Sequence, residues 1–237
     1  MAISSNEARA LLAGRREDVA EYAAKQVLMR YGIGITREEL ATSRQHAVAL
    51  AQRIGYPVAL KVQSPDISHK TEAKAVRLNL ASDGDVAAAY DEIVSNAKAY
   101  KSGARIEGVL VQEMVAGGIE AILGVTNDKL FGPAVMFGLG GIFAEVLKDV
   151  AFRIAPVTKS SALEMIAEIK GYAVLTGARG APHADIDALA DAIVRLSALA
   201  VDLKDHVAEL DINPLFVLPK GKGVKAGDAL IKPLVGD

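Results

Sequence analysis

Lys61 closes the apolar run Gly55-Tyr56-Pro57-Val58-Ala59-Leu60-Lys61-Val62, which reads as a buried strand and offers the lysine no carboxylate of its own. A long cation placed on such a strand calls for an anion. Far downstream, Glu209-Leu210-Asp211-Ile212-Asn213-Pro214-Leu215 has the opposite polarity. Asp211 and Asn213 stand two residues apart on an otherwise apolar strand and so share one face. A turn at Lys220-Gly221-Lys222-Gly223 brings Asp228 on the return strand within a residue or two of facing them. Three hard oxygen donors on one face of a ribbon suit magnesium, which takes oxygen ligands and shares itself with substrate phosphates. Together the lysine and the oxygens suggest a site for Mg-ATP. Each group also has a plainer reading. Lys61 packs its stem on the core with its head in water, Asn213-Pro214 bends a strand, and Asp228 caps a turn.

Positioning these groups takes alternating strands and helices. Leu11, Leu12, Val19, Val27 and Leu28 recur at helical spacing and predict a helix from about Asn6 to Arg30, broken by Tyr31-Gly32-Ile33-Gly34. A second helix, Ser43 to Ile54, leads into the Lys61 strand. Then follow a strand at Ala75 to Leu80, a helix at Asp85 to Tyr100 with an acidic first turn, and a strand at Gly108 to Met114. Gly117-Gly118 reads as a hinge. Beyond it come strands at Ile119 to Thr126 and Ala134 to Gly138, and the glycine loop Gly138-Leu139-Gly140-Gly141. The rest is a helix near Leu163 to Lys170, an amphipathic helix at Ile186 to Leu203, and a closing hairpin of Glu209 to Leu218 with Val224 to Ile231. The pattern predicts an α/β (α+β) chain of two unequal lobes with a ligand between them.

Composition removes other classes. The 237 residues are 51% apolar, enough for a substantial core. A net charge of −2 with scattered lysines and arginines gives no footprint for nucleic acid or anionic lipid. Cysteine is absent, which removes disulfides, thiolate metal sites and cysteine nucleophiles. The first residues lack the layout of a secretory signal. The longest apolar stretch, Gly132 to Leu147, is interrupted by glycines and Glu145 and falls short of the ~18 residues a membrane span needs. A cytoplasmic protein is expected.

Four segments carry a resemblance: Gly55 to Lys61, Ser64-Pro65-Asp66-Ile67-Ser68-His69-Lys70, Phe137 to Val150, and Glu209 to Leu215. In this order they resemble the ATP-grasp subunit of NDP-forming acyl-CoA synthetases, in particular the small subunits of ADP-forming acetate–CoA ligases, over nearly the whole chain. The resemblance implies a two-lobed ATP-grasp fold, with residues 1–35 and 113–237 forming the larger lobe and 36–112 the smaller. It implies ATP/ADP and Mg2+ as cofactors, with Lys61 on the phosphates, Glu113 and Val115 bordering the adenine, and Glu120 near the ribose. Asn213 and Asp228 match magnesium ligands, with Asp211 close by.

To His69 the resemblance assigns a phosphoryl-carrying role, and a neutral imidazole suits it, since its nitrogen attacks phosphoryl groups near pH 7. Alone, a histidine after Pro-Asp reads as a turn residue. Where relatives carry a glycine pair, this chain has Lys74-Ala75, which either adds a phosphate contact or obstructs one. Arg153 and Arg179 are secondary ligand candidates. The implied reaction interconverts acyl-CoA, ADP and phosphate with acid, CoA and ATP, through a larger partner subunit that binds CoA and forms the acyl phosphate. Two alternatives stand beside it, a non-catalytic nucleotide sensor or scaffold on the same fold and an ATP-grasp carboxylate–amine ligase.

Overall fold

The computed structural model describes residues 5–67, 70–141 and 148–234. In chain order the elements are α1 (Ser5–Leu12), α2 (Glu21–Arg30), β1 (Glu38–Ala41), α3 (Arg44–Ile54), β2 (Val58–Gln63), β3 (Val76–Leu80), α4 (Asp83–Tyr100), β4 (Gly108–Glu113), β5 (Ile119–Asp128), β6 (Gly132–Leu139) and β7 (Val150–Ile154). Helices Lys159–Glu168, Tyr172–Leu175 and Ile186–Asp202 follow, then β8 (Val207–Val217), β9 (Val224–Ala226) and β10 (Leu230–Pro233). The chain divides into two compact units, Met1–Ile35 with Gly117–Asp237, and Thr36–Ala116. The second boundary falls four residues beyond the expected 112/113 because Glu113 still pairs with Val58 and the Met114 N–H donates to the Pro57 carbonyl at 3.2 Å.

The smaller unit is an antiparallel sheet in the order β1-β4-β2-β3. α3 starts at Ser43, whose hydroxyl accepts the His46 N–H at 3.1 Å, and stops at Gly55, where a φ of 97° suits glycine. Ser82 caps α4 in the same way. Leu50, Ile54, Val86 and Ile93 of the helices bury against Val58, Leu60, Val109 and Val111. Each such side chain contributes about 1.5–3 kcal/mol when fully buried. Side chains alternate along a strand, so Ala59, Lys61 and Gln63 take the opposite face.

The larger unit is a six-stranded sheet in the order β10-β8-β5-β6-β7, with β9 also paired to β8. The helices Lys159–Glu168 and Ile186–Asp202 bury Met165, Ile166, Leu189, Ile193 and Leu196 with the sheet residues Leu123, Val135, Phe137, Leu210 and Ile212. Along β8 the exposed residues Glu209, Asp211 and Asn213 alternate with buried Leu210 and Ile212.

Several elements differ from expectation. The single helix of about Asn6 to Arg30 is two helices. Gly14 adopts a left-handed φ of 72°, and the Val19 N–H leaves the helical pattern to donate to Ile231 at 2.8 Å. β1 and β7 were not foreseen: both end their sheets' order and borrow their partners' register, β1 from β4 and β7 from β6. The helix expected near Leu163 begins at Lys159, behind Thr158, whose hydroxyl accepts the Ser161 N–H. The return strand of the closing hairpin is split into β9 and β10.

Candidate functional site

In the smaller unit, Lys61 is half-buried and lies opposite Leu110 on one side and Val76 on the other. The Val62 N–H donates to the Ala75 carbonyl at 3.0 Å, so Lys74-Ala75 sits beside Lys61. Ala75 is fully buried, while Lys74 is exposed. Lys74 holds a φ of 52°, the left-handed conformation a glycine takes without penalty. The backbone here therefore keeps the glycine-type geometry although the side chain is long. Its carbonyl accepts Asn96 Nδ2 at 3.0 Å.

Glu113 lies three residues along β2 from Lys61 by register, about 10 Å at ~3.3 Å per residue. Its carboxylate is committed: it accepts the Arg37 backbone N–H at 2.9 Å and Arg37 Nε at 2.8 Å. Val115 is half-buried. On the Lys61 face the structure adds residues that sequence reasoning missed. Gln112 pairs with Ala59 and Glu38 with Gln112, and the Thr36 hydroxyl accepts Gln112 Nε2 at 2.7 Å and donates to Glu38 at 2.7 Å. Their only sequence signal was an amide and carboxylates beside an apolar strand.

His69 and Ser68 lie outside the described residues, as do Ile142 to Leu147 after the glycine loop. Ile67 packs with Val62, Ala73, Ala75 and Ala97, and the Ala75 N–H donates to the Lys70 carbonyl at 2.9 Å. The Arg105 N–H donates to the Asp66 carboxylate at 2.8 Å. That bond, opposed by burial and helped by the charges of Lys101 and Arg105, holds the Asp66 carboxyl below its ordinary value.

In the larger unit, β8 pairs Asp211 with Leu230 and Leu215 with Ala226. The register is the same on both sides, which places Asn213 across from Asp228 in the gap between β9 and β10. A bulge in the β5–β8 pairing accompanies Asn213. Asp211 counts as exposed, yet desolvation of its carboxyl, followed by the Asp228 charge, pushes it above the ordinary carboxylate value, with Lys232 pulling the other way. Two carboxylates crowded beside an amide oxygen are a donor set that a divalent cation relieves, so the residues present fit Mg2+. The plainer role of Asp228 is also visible, since its Oδ1 accepts the Ala229 N–H at 2.8 Å. Among the described residues, no cluster of three or more His, Cys, Asp or Glu side chains forms a metal-type group.

Beside Asp211 the same face holds a pocket of about 370 Å³ lined by Gly124, Thr126, Met136, Phe152, Leu230 and the ion pair of Lys232 with Glu209, 2.6 Å apart. Glu120 is exposed on β5, and its carbonyl accepts the Gly140 N–H at 2.7 Å. Gly140 and Gly138 allow this close approach: a Cβ at Gly140 would meet Glu120 at 3.1 Å and one at Gly138 would meet Val150 at 2.8 Å. Packing thus accounts for part of the glycine loop. The Arg153 guanidinium is engaged by Glu168 through Nη1 at 3.1 Å and Nη2 at 2.5 Å. The Arg179 side chain lies outside the described residues.

Comparison with known proteins agrees with this architecture. The family model described as an ATP-grasp domain matches residues 10–232. The beta subunit of ADP-forming acetate–CoA ligase II from Pyrococcus furiosus is 49% identical over 221 residues, 93% of this chain and 94% of the relative. A crystal structure from Pyrococcus horikoshii superposes with a TM-score of 0.93 at 45% identity, covering 98% of this chain and all of that one. An acetyl-coenzyme A synthetase of Candidatus Korarchaeum cryptofilum superposes with a TM-score of 0.82 at 40% identity, over 96% of this chain and all of that one. It was solved with coenzyme A and Mg-AMPPCP, its phosphohistidine segment pointing towards the nucleotide binding site. The fold and the site therefore define an ATP-grasp protein, and the chain belongs to the ATP-grasp family in the branch of the beta subunits of ADP-forming acyl-CoA synthetases.

Proposed function

We propose that the chain binds Mg2+ with ATP or ADP and, with a larger CoA-binding subunit, interconverts acyl-CoA, ADP and phosphate with acid, CoA and ATP. The observation that carries the nucleotide reading is the oxygen set on β8 and the return strand, where Asp211, Asn213 and Asp228 converge and the Asp228 charge raises Asp211. Bound magnesium supplies neutralisation of phosphate charge, and Lys61, with Lys74 beside it, supplies the rest from the chain. Glu113 and Val115 border the base, and Glu120 lies near the ribose. In the forward direction the acyl phosphate formed on the partner gives up its phosphoryl group, releasing the acid, and the group passes by way of the partner to a His69 ring nitrogen. The terminal phosphate oxygen of ADP then attacks it, the imidazole leaves unmodified, and ATP forms. The relative's phosphohistidine segment supports that role. The name of the P. furiosus relative, a beta subunit, supports the partner.

Calorimetry with ADP in the presence and absence of Mg2+ tests the nucleotide site. Wild type binds more tightly with Mg2+. Lys61→Met loses one charged contact, about 1.5–3 kcal/mol or roughly 10- to 100-fold in affinity. Asp228→Ala removes the Mg2+ dependence while the metal-free affinity stays. Unchanged affinity in both variants would refute the assignment.

A further inference from the structure

Gly227 directly precedes Asp228, and space rather than backbone conformation calls for a glycine there. Its φ lies outside the left-handed region, so no special turn requires it. What excludes a side chain is Phe216 on β8. A Cβ on Gly227 would stand 2.5 Å from Phe216 Cε2 and 3.2 Å from Cδ2, with Pro214 Cγ also at 3.2 Å. Carbons in contact sit about 3.5–4.0 Å apart, so the ring or the turn would have to shift. The Phe216 ring is thus seated on the bare Cα of Gly227.

The surroundings hold both halves of this contact. Phe216 is half-buried in the middle of a three-strand rung, opposite Glu120 on β5 and Lys225 on β9. Gly227 is buried, and its N–H donates to the Pro214 carbonyl at 2.8 Å. Pro214 follows Asn213 and Gly227 precedes Asp228, so this bond joins the immediate neighbours of two residues that face each other across the ribbon. The pairs Leu215–Ala226 and Asp211–Leu230 bracket the turn on either side. The hydrogen bond and the ring are therefore two direct contacts between β8 and the turn, one drawing it in and the other limiting its approach.

We infer that Gly227 and Phe216 are positioning residues for the magnesium set: the Gly227 bond holds the turn against β8, the ring sets how close it comes, and together they place the Asp228 carboxylate across from Asn213. This rests on the proposed role of Asp228 and Asn213 at magnesium. Groups that orient a metal ligand typically cost roughly 10- to 100-fold in metal affinity when removed. Because the two residues touch, their substitutions are coupled. A methyl group at 227 pushes ring and turn apart, whereas leucine at 216 lacks the Cε atoms and leaves room for it.

The test uses the full chain with Gly227→Ala, Phe216→Leu and the double variant. Two quantities are read: the Mg2+ concentration at half-saturation of ADP binding, and amide hydrogen exchange at residue 227 in metal-free protein. Gly227→Ala shifts the Mg2+ midpoint upward roughly 10- to 100-fold and exchanges faster at 227 than in the rest of β8 and β9. Phe216→Leu, which keeps the hydrogen bond, moves the midpoint the same way by less. The double variant returns toward wild type in both readouts, a recovery that general destabilisation does not give. A wild-type midpoint and exchange in Gly227→Ala, or a double variant no better than Gly227→Ala, would overturn the inference. If Gly227→Ala does not fold, the double variant decides: a folded chain with a midpoint near that of Phe216→Leu supports the coupling, and an unfolded one overturns it. A failure of the magnesium assignment shows separately, because Asp228→Ala then leaves the Mg2+ midpoint at its wild-type value. Exchange at 227 then decides the seat by its recovery in the double variant or the lack of it.

Discussion

As proposed magnesium ligands, Asp211 and Asp228 are expected to trade stability for ion binding. In metal-free protein the Asp211 carboxyl is raised by desolvation and by the Asp228 charge. A raised folded value means that the associated stability is complete at low pH and is lost as pH rises through that value. Asp211→Asn therefore stabilises the metal-free chain at pH 7, by less than about 1 kcal/mol because the residue is exposed. The gain disappears below about pH 3.9, where Asp211 is protonated folded or unfolded. Thermal unfolding in EDTA at both pH values checks this, and excess Mg2+ narrows the difference by favouring wild type. Lys74 offers a second case. Its left-handed backbone costs an L residue about 1–2 kcal/mol, while glycine adds ~0.5–1 kcal/mol of unfolded-state entropy. Lys74→Gly is accordingly neutral to slightly stabilising by denaturant titration. Because Lys74 is proposed to help neutralise the phosphates, the same substitution lowers ADP affinity by about 1.5–3 kcal/mol, and unchanged or tighter binding in calorimetry would contradict that contact.

At the scale of elements, Asp185 couples the long helix to the closing hairpin. Its carboxylate caps helix Ile186–Asp202 by accepting the Ala188 N–H at 3.3 Å and accepts the Gly223 N–H at 2.8 Å. Burial opposes its ionisation, but the N–H groups of Gly223, Ala188 and Gly221 outweigh it and hold the carboxyl low. Asp185→Ala costs roughly 2–3 kcal/mol at pH 7. A depressed folded value gives stability that is present above the unfolded value, about 3.9, and lost as pH falls through the folded one. Urea titrations should show the wild-type advantage shrinking below about pH 4.

The elements that bury one face were legible in the sequence for a related reason. α3, α4, helix Ile186–Asp202 and strands β2, β4, β5 and β8 announce themselves by apolar period, whereas the Ser82 cap, which starts α4 at Asp83 and not at Asp85, was not read. The edge strand β1 was not legible, because Glu38-Glu39-Leu40-Ala41 has no β-forming composition and takes its structure from β4. The break in the N-terminal helix was hidden by a stripe of apolar residues that runs across Gly14. Within the candidate site, Lys61 and the Asp211–Asn213 spacing could be read from residue types alone. The Glu113–Arg37 pair could not, since its partners are 76 residues apart and meet through the pairing of β1 with β4.

For the whole molecule, the division at Ile35/Thr36 and Ala116/Gly117 gives two units with separate cores. No helix among the described residues is long and apolar enough to cross a membrane. Under the proposed function, the isolated chain binds Mg-ADP but forms no acyl-CoA until a larger CoA-binding subunit is added. The most direct test of the central claim, that the chain relays a phosphoryl group to and from its nucleotide, is phosphoryl labelling by ATP carrying a radioactive γ-phosphate. Wild type with Mg2+ acquires an acid-labile, alkali-stable label that mass spectrometry locates on His69 and that added ADP removes. His69→Ala acquires none and keeps its ADP affinity. Full labelling of His69→Ala, or a wild-type chain that binds Mg-ATP and stays unlabelled, would contradict the account.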